Sequence, residues 1–123
     1  MPKTINGAMF SKMVIAASAL LDANRAKIDA LNVFPVPDGD TGTNMSLTMQ
    51  SAVRELKQCS SNRLNDICDS VSKGALRGAR GNSGVITSQI FKGLCDGVKD
   101  AQEINIRLFG KAMKNATQVA YSA

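Results

Sequence analysis

The sequence contains no histidine and only three cysteines, Cys59, Cys68 and Cys95. The absence of histidine excludes, within this chain, every mechanism whose general base is a histidine, such as a Ser-His-Asp or a Cys-His arrangement. The cysteines are odd in number and form no C-x-x-C pair, which excludes most zinc sites and disulfide frameworks. Acid–base chemistry would therefore fall to carboxylates, to lysine or to a group of the substrate.

Long hydrophobic runs are also missing. No apolar stretch approaches the roughly 18 to 20 residues that span a membrane. The first residues, MPKTING, lack the compact apolar core of a secretory signal. We therefore expect a cytoplasmic protein.

Aromatic residues are few, with four phenylalanines and one tyrosine. The net charge of +5, from 15 Lys and Arg against 10 Asp and Glu, raises the hypothesis of nucleic-acid binding. The basic residues are spread along the chain, however, and do not alternate with aromatic ones. The charge favours a general attraction for anionic ligands, and we expect no nucleic-acid partner.

The composition is that of a folded domain, with 44% hydrophobic and 20% charged residues. A chain of 123 residues can form one hydrophobic core but not two. Apolar residues recur at helical spacing through most of it. The spacing predicts five helices, over residues 8–21, 43–57, 64–76, 85–98 and 105–123.

A shorter stretch, 24–31, either extends the first helix or forms a second one. In the last helix the predicted buried face comprises Ile106, Phe109, Met113, Ala116 and either Val119 or Ala120. No stretch alternates apolar and polar residues for long enough to indicate a strand. The predicted fold class is all-α.

The first loop with chemical interest covers residues 32–45, NVFPVPDGDTGTNM. Pro35 and Pro37 each fix their own φ and push the preceding residue out of the α region, so a rigid loop is predicted there. Beyond them, Asp38 and Asp40 flank a glycine that can take a sharp backbone turn. Such a loop can direct two oxygen ligands at one cation, and magnesium prefers oxygen ligands.

A helix follows this loop directly. Thr43 or Asn44 is suited to cap it, and Thr43, Asn44 and Met45 would lie in its first turn, where free N–H groups and the helix dipole favour a phosphate. The segment could instead be an ordinary surface turn, because Pro, Asp and Gly are common turn formers. A plain turn has no need, however, of Thr-Gly-Thr-Asn before the helix. An EF-hand is excluded, because its sixth-position glycine would be Thr43 and its twelfth-position glutamate would be Met49.

A second loop, GARGNSG at residues 78–84, is rich in glycine and precedes the helix predicted over 85–98. It matches neither the dinucleotide-binding pattern G-x-G-x-x-G nor the P-loop pattern G-x-x-x-x-G-K-[ST]. A glycine-rich loop that opens a helix can still let a nucleotide approach the backbone closely. The alternative is a connection between helices that pack closely. Arg77 and Arg80 could face phosphates or could simply be solvated.

Taken together, residues 32–45 and 78–86 closely resemble the nucleotide-binding domain of the dihydroxyacetone kinase family. The resemblance extends through most of the chain and is nearest to the branch represented by the N-terminal kinase domain of bacterial fatty acid kinase. It implies an antiparallel eight-helix barrel that binds ATP at one end through magnesium ions held by aspartates. The family domain is longer than this chain, so we expect residues 1–123 to be its N-terminal portion, with about five of the helices.

By position, the resemblance implies that Asp38 and Asp40 bind magnesium and act in catalysis, with Asn32 as a further magnesium ligand. Contacts to the nucleotide would come from Gly42, Thr43, Asn44, Met45, Gly81, Asn82, Ser83 and Gly84. The dihydroxyacetone-specific branch has an aspartate shortly before its Asp-Gly-Asp, where this chain has Asn32 and Val33. That branch also has a histidine in place of Thr41. Both differences favour the fatty acid branch.

The implied reaction transfers the γ-phosphoryl group of ATP to a fatty acid held by a separate fatty-acid-binding protein, forming an acyl phosphate for phospholipid metabolism. A carboxylate acceptor is already ionised at neutral pH, so positioning and charge neutralisation can carry catalysis without a histidine. Two alternatives remain open: a nucleotide subunit that phosphorylates dihydroxyacetone (glycerone), and a non-catalytic helical module that binds a partner. The full-length protein could be a homodimer, and the 123 residues alone could be inactive.

Overall fold

The computed structural model describes residues 3–33 and 37–122. They form two short strands and six helices: β1 (Thr4–Ile5), α1 (Gly7–Ala23), α2 (Arg25–Ala30), α3 (Thr41–Lys57), α4 (Leu64–Arg77), α5 (Gly81–Gly97), β2 (Ile104–Asn105) and α6 (Ile106–Ser122). The all-α prediction is confirmed, with five long helices and the short α2. The rigid loop predicted from the prolines falls partly on residues 34–36, outside the described residues. None of the described helices has the length and apolar character needed to cross a membrane.

Two helices begin two or more residues earlier than the apolar spacing predicts. α3 starts at Thr41 instead of 43, and α5 starts at Gly81 instead of 85. The added residues are mostly small or polar, so hydrophobic periodicity could not detect them. The residue that precedes α3 as its N-cap is Asp40, so the prediction of Thr43 or Asn44 as the cap was wrong. Most of the candidate residues therefore lie in the first turns of two helices.

The centre of the fold is α3, which packs against α1, α2, α4 and α5, while α6 packs on α5. Burying each large aliphatic side chain stabilises the fold by about 1.5–3 kcal/mol. The core residues are Phe10, Val14, Met49, Ala52, Leu56, Leu64, Ile67, Cys68, Val71, Ala75, Leu94, Cys95, Val98, Ile104, Ala112 and Ala116.

The contact between α5 and α6 is made by small residues. A Cβ atom added to Gly93 would lie 2.6 Å from the Cα of Ala116, and one added to Gly97 would lie 2.7 Å from the Cα of Ala112. The two backbones approach so closely that only glycine fits on the α5 side. The face that α6 buries is therefore set by Ala112 and Ala116, its two buried residues.

This packing corrects the prediction for α6. Ile106 is 88% exposed, and Phe109 and Met113 are also exposed, so the prediction that they are buried was wrong. Ala116 is buried as predicted, and Val119 and Ala120 are half-buried. The small-residue contact with α5 rotates the larger apolar side chains away from the core.

The two short strands pair antiparallel, with Thr4 opposite Asn105 and Ile5 opposite Ile104. The hydroxyl group of Thr4 also donates a hydrogen bond of 3.0 Å to the carboxylate of Glu103. Strands of two residues are too short to produce an alternating pattern, which explains why the sequence did not reveal them. The pairing joins the chain just before α1 to the chain just before α6.

Candidate functional site

The two loops identified in the sequence meet at the N-terminal ends of α3 and α5. The Oγ atom of Ser83 donates a hydrogen bond of 3.2 Å to the main-chain carbonyl oxygen of Thr41. The main-chain N–H of Arg80 donates one of 3.2 Å to Oγ1 of Thr48, almost two turns further along α3. These bonds connect the first turns of two helices that are about 40 residues apart in the sequence.

Glycine is required where the loops touch. Gly81 has a φ of +65°, and a Cβ atom on it would lie 2.5 Å from Nδ2 of Asn44. A Cβ atom on Gly84 would lie 2.5 Å from Oγ1 of Thr48. Close packing between helices, the alternative considered for the second loop, therefore accounts for part of its glycine content. It does not account for the exposed Asn82 in the same turn.

The Asp38–Asp40 loop has the predicted turn. Gly39 has a φ of +65°, and the side chains of Asp38 and Asp40 on either side of it are exposed. Two carboxylates are a donor set that fits magnesium, which usually takes one or two carboxylates and completes its shell with water and phosphate oxygens. Within residues 3–33 and 37–122, no group of three His, Cys, Asp or Glu side chains is placed to hold a metal ion. A magnesium ion at this loop would thus depend on water and nucleotide oxygens.

Asn32 holds this loop through hydrogen bonds. Its Oδ1 atom accepts the main-chain N–H groups of Asp40, at 3.0 Å, and Thr41, at 3.2 Å. The prediction that Asn32 binds magnesium involves this same oxygen atom. In the structure that oxygen fixes the start of α3.

Asp29, on α2, lies beside the candidate site and is not among the residues predicted from the sequence. Its Oδ1 accepts the main-chain N–H of Thr43 at 2.9 Å, and its Oδ2 accepts the Thr43 hydroxyl at 2.5 Å. The Thr43 hydroxyl, followed by its N–H group, lowers the pKa of Asp29 because both stabilise the ionised carboxylate. The only sequence signal was a carboxylate three residues before Asn32, which is common on helix surfaces.

The first turns of α3 and α5 differ in how their N–H groups are used. At the start of α3, protein side chains accept the N–H groups of Asp40, the N-cap, and of Thr41 and Thr43. On α5, Gly81 and Asn82 are exposed in the first turn, where a helix leaves N–H groups without intrahelical partners. The first turn of α5 is thus exposed at Gly81 and Asn82, whereas side chains accept three N–H groups at the start of α3.

The remaining predicted residues have distinct surroundings. Gly42 is buried, and a Cβ atom on it would lie 2.5 Å from the carbonyl oxygen of Arg25, so it packs against α2. Met45 is half-buried in α3. Arg77 forms an ion pair of 3.0 Å with Glu55, whereas Arg80 is exposed as the N-cap of α5. Of the two arginines, Arg80 is the one beside the candidate site.

Residues 35–123 match the DAK2 domain. The chain belongs to the DAK2 domain family. It is similar to protein YloV of Bacillus subtilis strain 168, with 46% identity over 121 residues, covering 98% of this chain and 22% of that protein. Uncharacterised proteins of Staphylococcus aureus strains USA300 and NCTC 8325 are 45% identical over 119 residues, covering 97% of this chain and 22% of theirs.

The DAK2 domain is related to the dihydroxyacetone kinases and indicates a kinase-like, nucleotide-binding module. The chain spans about a fifth of the length of the curated relatives it matches. The family-level part of the resemblance found in the sequence is thus confirmed.

Proposed function

We propose that this DAK2 domain chain is the nucleotide-binding part of a cytoplasmic, ATP-dependent kinase that phosphorylates a fatty acid presented by a fatty-acid-binding protein. The observation that carries the proposal is the hydrogen bond between Ser83 and Thr41, which holds the two loops together. Asp38 and Asp40, an exposed carboxylate pair, come directly before α3, and this bond joins the first turn of α3 to the first turn of α5. In a magnesium–nucleotide complex, carboxylates bind the metal ion and the N–H groups of a helix N-terminus bind phosphate oxygens.

The two loops would have different tasks. Asp38 and Asp40, with Asn32 as a further candidate, would hold magnesium, which when bound neutralises charge on the phosphoryl group being transferred. Residues 81–84 would contact phosphate oxygens from the first turn of α5. Residues 42–45 would line the nucleotide from α3, where the side-chain amide of Asn44 lies beside Gly81.

A carboxylate acceptor suits this chain. The sequence has no histidine, and an ionised fatty acid needs no base to become a nucleophile. Catalysis then depends on holding the acceptor and the γ-phosphoryl group in line and on neutralising charge. Thr41 and Asn32 support the fatty acid branch, and a homodimer of the full-length protein fits the same proposal.

Calorimetry with ATP tests the nucleotide site. We expect binding with magnesium and little binding in excess EDTA. Asp38→Asn and Asp40→Asn should each weaken magnesium-dependent binding at least about tenfold, which corresponds to roughly 1.4 kcal/mol. Asp69→Asn is the matched control, because Asp69 is an exposed carboxylate on α4 that pairs with Lys73 at 3.0 Å. Absence of binding, with no effect of any variant, would support the non-catalytic helical module instead.

A second assay identifies the acceptor. ATP consumption is measured with a fatty-acid-binding protein loaded with fatty acid and, separately, with dihydroxyacetone, while hydroxylamine traps any acyl phosphate. We expect trapped acyl hydroxamate only with the loaded protein. ATP consumption that depends on dihydroxyacetone alone would refute the fatty acid proposal and favour the glycerone kinase alternative.

A further inference from the structure

We infer that Asp29 is a positioning residue for the Asp38–Asp40 loop, and this role rests on the proposed function of that loop as a metal site. Asp29 belongs to α2, nine residues before Asp38 in the sequence. It makes no bond to either predicted metal-binding carboxylate in the contacts described above. It acts through the residues on both sides of the loop.

The first connection is the side chain of Asp29. Both of its carboxylate oxygens accept hydrogen bonds from Thr43, one from the N–H at 2.9 Å and one from the hydroxyl at 2.5 Å. Two bonds to one residue fix the position and the orientation of the carboxylate group. The start of α3, immediately after the loop, is thereby tied to α2.

The second connection is the main chain of Asp29. Its carbonyl oxygen accepts the N–H of Asn32 at 3.1 Å, and Oδ1 of Asn32 in turn accepts the N–H groups of Asp40 and Thr41. The same carbonyl oxygen would lie 3.8 Å from a Cβ atom on Gly39. Asp29 is thus linked to Asn32, at the beginning of the loop, through its main chain and to Thr43, just after the loop, through its side chain.

The packing beneath the loop leaves little room for adjustment. A Cβ atom on Gly42 would lie 2.5 Å from the carbonyl oxygen of Arg25 and 2.9 Å from Cβ of Ile28. α2 therefore presses directly on the first turn of α3. Groups that orient metal ligands in this way typically change metal affinity by roughly 10-fold to 100-fold when they are replaced.

A purely structural tie between helices is the alternative, and the chain offers a matched example of one. Oδ1 of Asp22, at the end of α1, accepts the hydroxyl of Ser46 at 2.8 Å, one turn further along α3 than Thr43. This bond also joins a carboxylate to a hydroxyl of α3, but it has no connection to Asn32 or Gly39 in the described contacts. Asp22→Asn is therefore the control for Asp29→Asn.

Two readouts test the inference. The first is hydrogen exchange at the amides of residues 40–43, followed by NMR, and the second is the affinity for Mn²⁺ alone, followed by electron paramagnetic resonance. We expect Asp29→Asn to accelerate exchange of the Thr43 amide and to weaken Mn²⁺ binding by roughly 10-fold to 100-fold. Asp22→Asn should change neither. If Asp29→Asn does not fold, Thr43→Val, which removes only the hydroxyl bond, should produce the same changes at smaller size.

The outcomes separate this inference from the proposed function. Unchanged amide exchange in Asp29→Asn shows that Asp29 does not order the loop and overturns the inference. Faster exchange with unchanged Mn²⁺ affinity overturns the link to the metal while leaving the proposed site intact. A wild-type chain that binds neither Mn²⁺ nor magnesium–ATP refutes the proposed function and the positioning role with it.

Discussion

The side-chain amide of Asn44 lies against the α carbon of Gly81, so closely that a methyl group on Gly81 would stand 2.5 Å from Nδ2. Gly81 also has a φ of +65°, a conformation that costs other residues free energy. Both the positive φ and the contact with Asn44 therefore require glycine at position 81, where the two candidate loops meet.

Gly81→Ala should separate the loops. We expect it to lower the free energy of unfolding by about 1–3 kcal/mol, from the positive φ and from the contact with Asn44. The control is Gly110→Ala in α6, where a Cβ atom would meet nothing within 4 Å and alanine should stabilise by about 0.5–1 kcal/mol. Urea denaturation measures both. Equal effects of the two substitutions would show that the loops are not in contact as described.

Gly93→Ala tests the close approach of α5 and α6. The added methyl group would lie 2.6 Å from the Cα of Ala116, and backbone atoms cannot move aside as a flexible side chain can. We expect a loss of about 1–3 kcal/mol in unfolding free energy. Denaturation of the same Gly110→Ala control provides the baseline. A neutral effect of Gly93→Ala would mean that α6 is free to shift on α5.

The stabilising contacts of Asp29 should depend on pH. The pKa of Asp29 lies below its usual value of 3.8 because the ionised form accepts hydrogen bonds from Thr43. A depressed pKa contributes stability that is complete above the unfolded-state pKa and is lost as the pH falls through the folded-state pKa.

The difference in unfolding free energy between wild type and Asp29→Asn should therefore be larger at about pH 6 than at about pH 3. Urea denaturation in the presence of EDTA measures it without any contribution from bound metal. A difference that stays constant over this range would show that ionisation of Asp29 does not contribute.

The three cysteines should differ in reactivity. Cys68 and Cys95 are 4% and 8% exposed, and Sγ of Cys95 donates a hydrogen bond of 3.5 Å to the carbonyl oxygen of Cys68. The side-chain hydrogen bond between the two cysteines, followed by burial, raises the pKa of Cys95, whereas the same bond lowers the pKa of Cys68, so it is burial that should protect Cys68 from reaction. Cys59 is only half-buried.

A thiol-specific dye should therefore react quickly with one thiol per folded chain and with three after denaturation. Cys59→Ser should remove the fast phase. Rapid labelling of two or three thiols in the folded protein would show that the contact between α4 and α5 opens readily.

The helices were largely predictable from the sequence because their core residues repeat at helical spacing. α4 was predicted over 64–76 and is found at Leu64–Arg77, since its buried residues include one at nearly every turn. The first turns of α3 and α5 were missed because residues such as Gly42 and Asn82 carry no apolar signal. Apolar spacing reveals the buried apolar face of a helix. It does not reveal a first turn of small and polar residues that is held by hydrogen bonds.

Two features of the site and packing could not be read from the chain. The bonds between Asp29 and Thr43 join residues 14 apart, and nothing in either residue type specifies the other as its partner. The buried face of α6 depends on the glycines of α5, so Ala112, which was not predicted, lies buried there with Ala116, and Phe109 does not. The Asp29–Thr43 bonds and the buried face of α6 both depend on which helices pack against each other, and the local sequence does not specify this.

The pairing of β1 with β2 has a consequence for the order of folding. Its residues, Ile5 and Ile104 among them, are about 99 positions apart, whereas α3 with α4 and α5 with α6 are neighbours in the sequence. Closing so long a loop costs more chain entropy than docking adjacent helices. We therefore expect the β1–β2 pair to form last. In pulsed hydrogen exchange, the amides of β1 should gain protection after those of α3 and α4. Simultaneous protection would contradict this order. The beginning of the chain would then join a helical bundle that has already assembled.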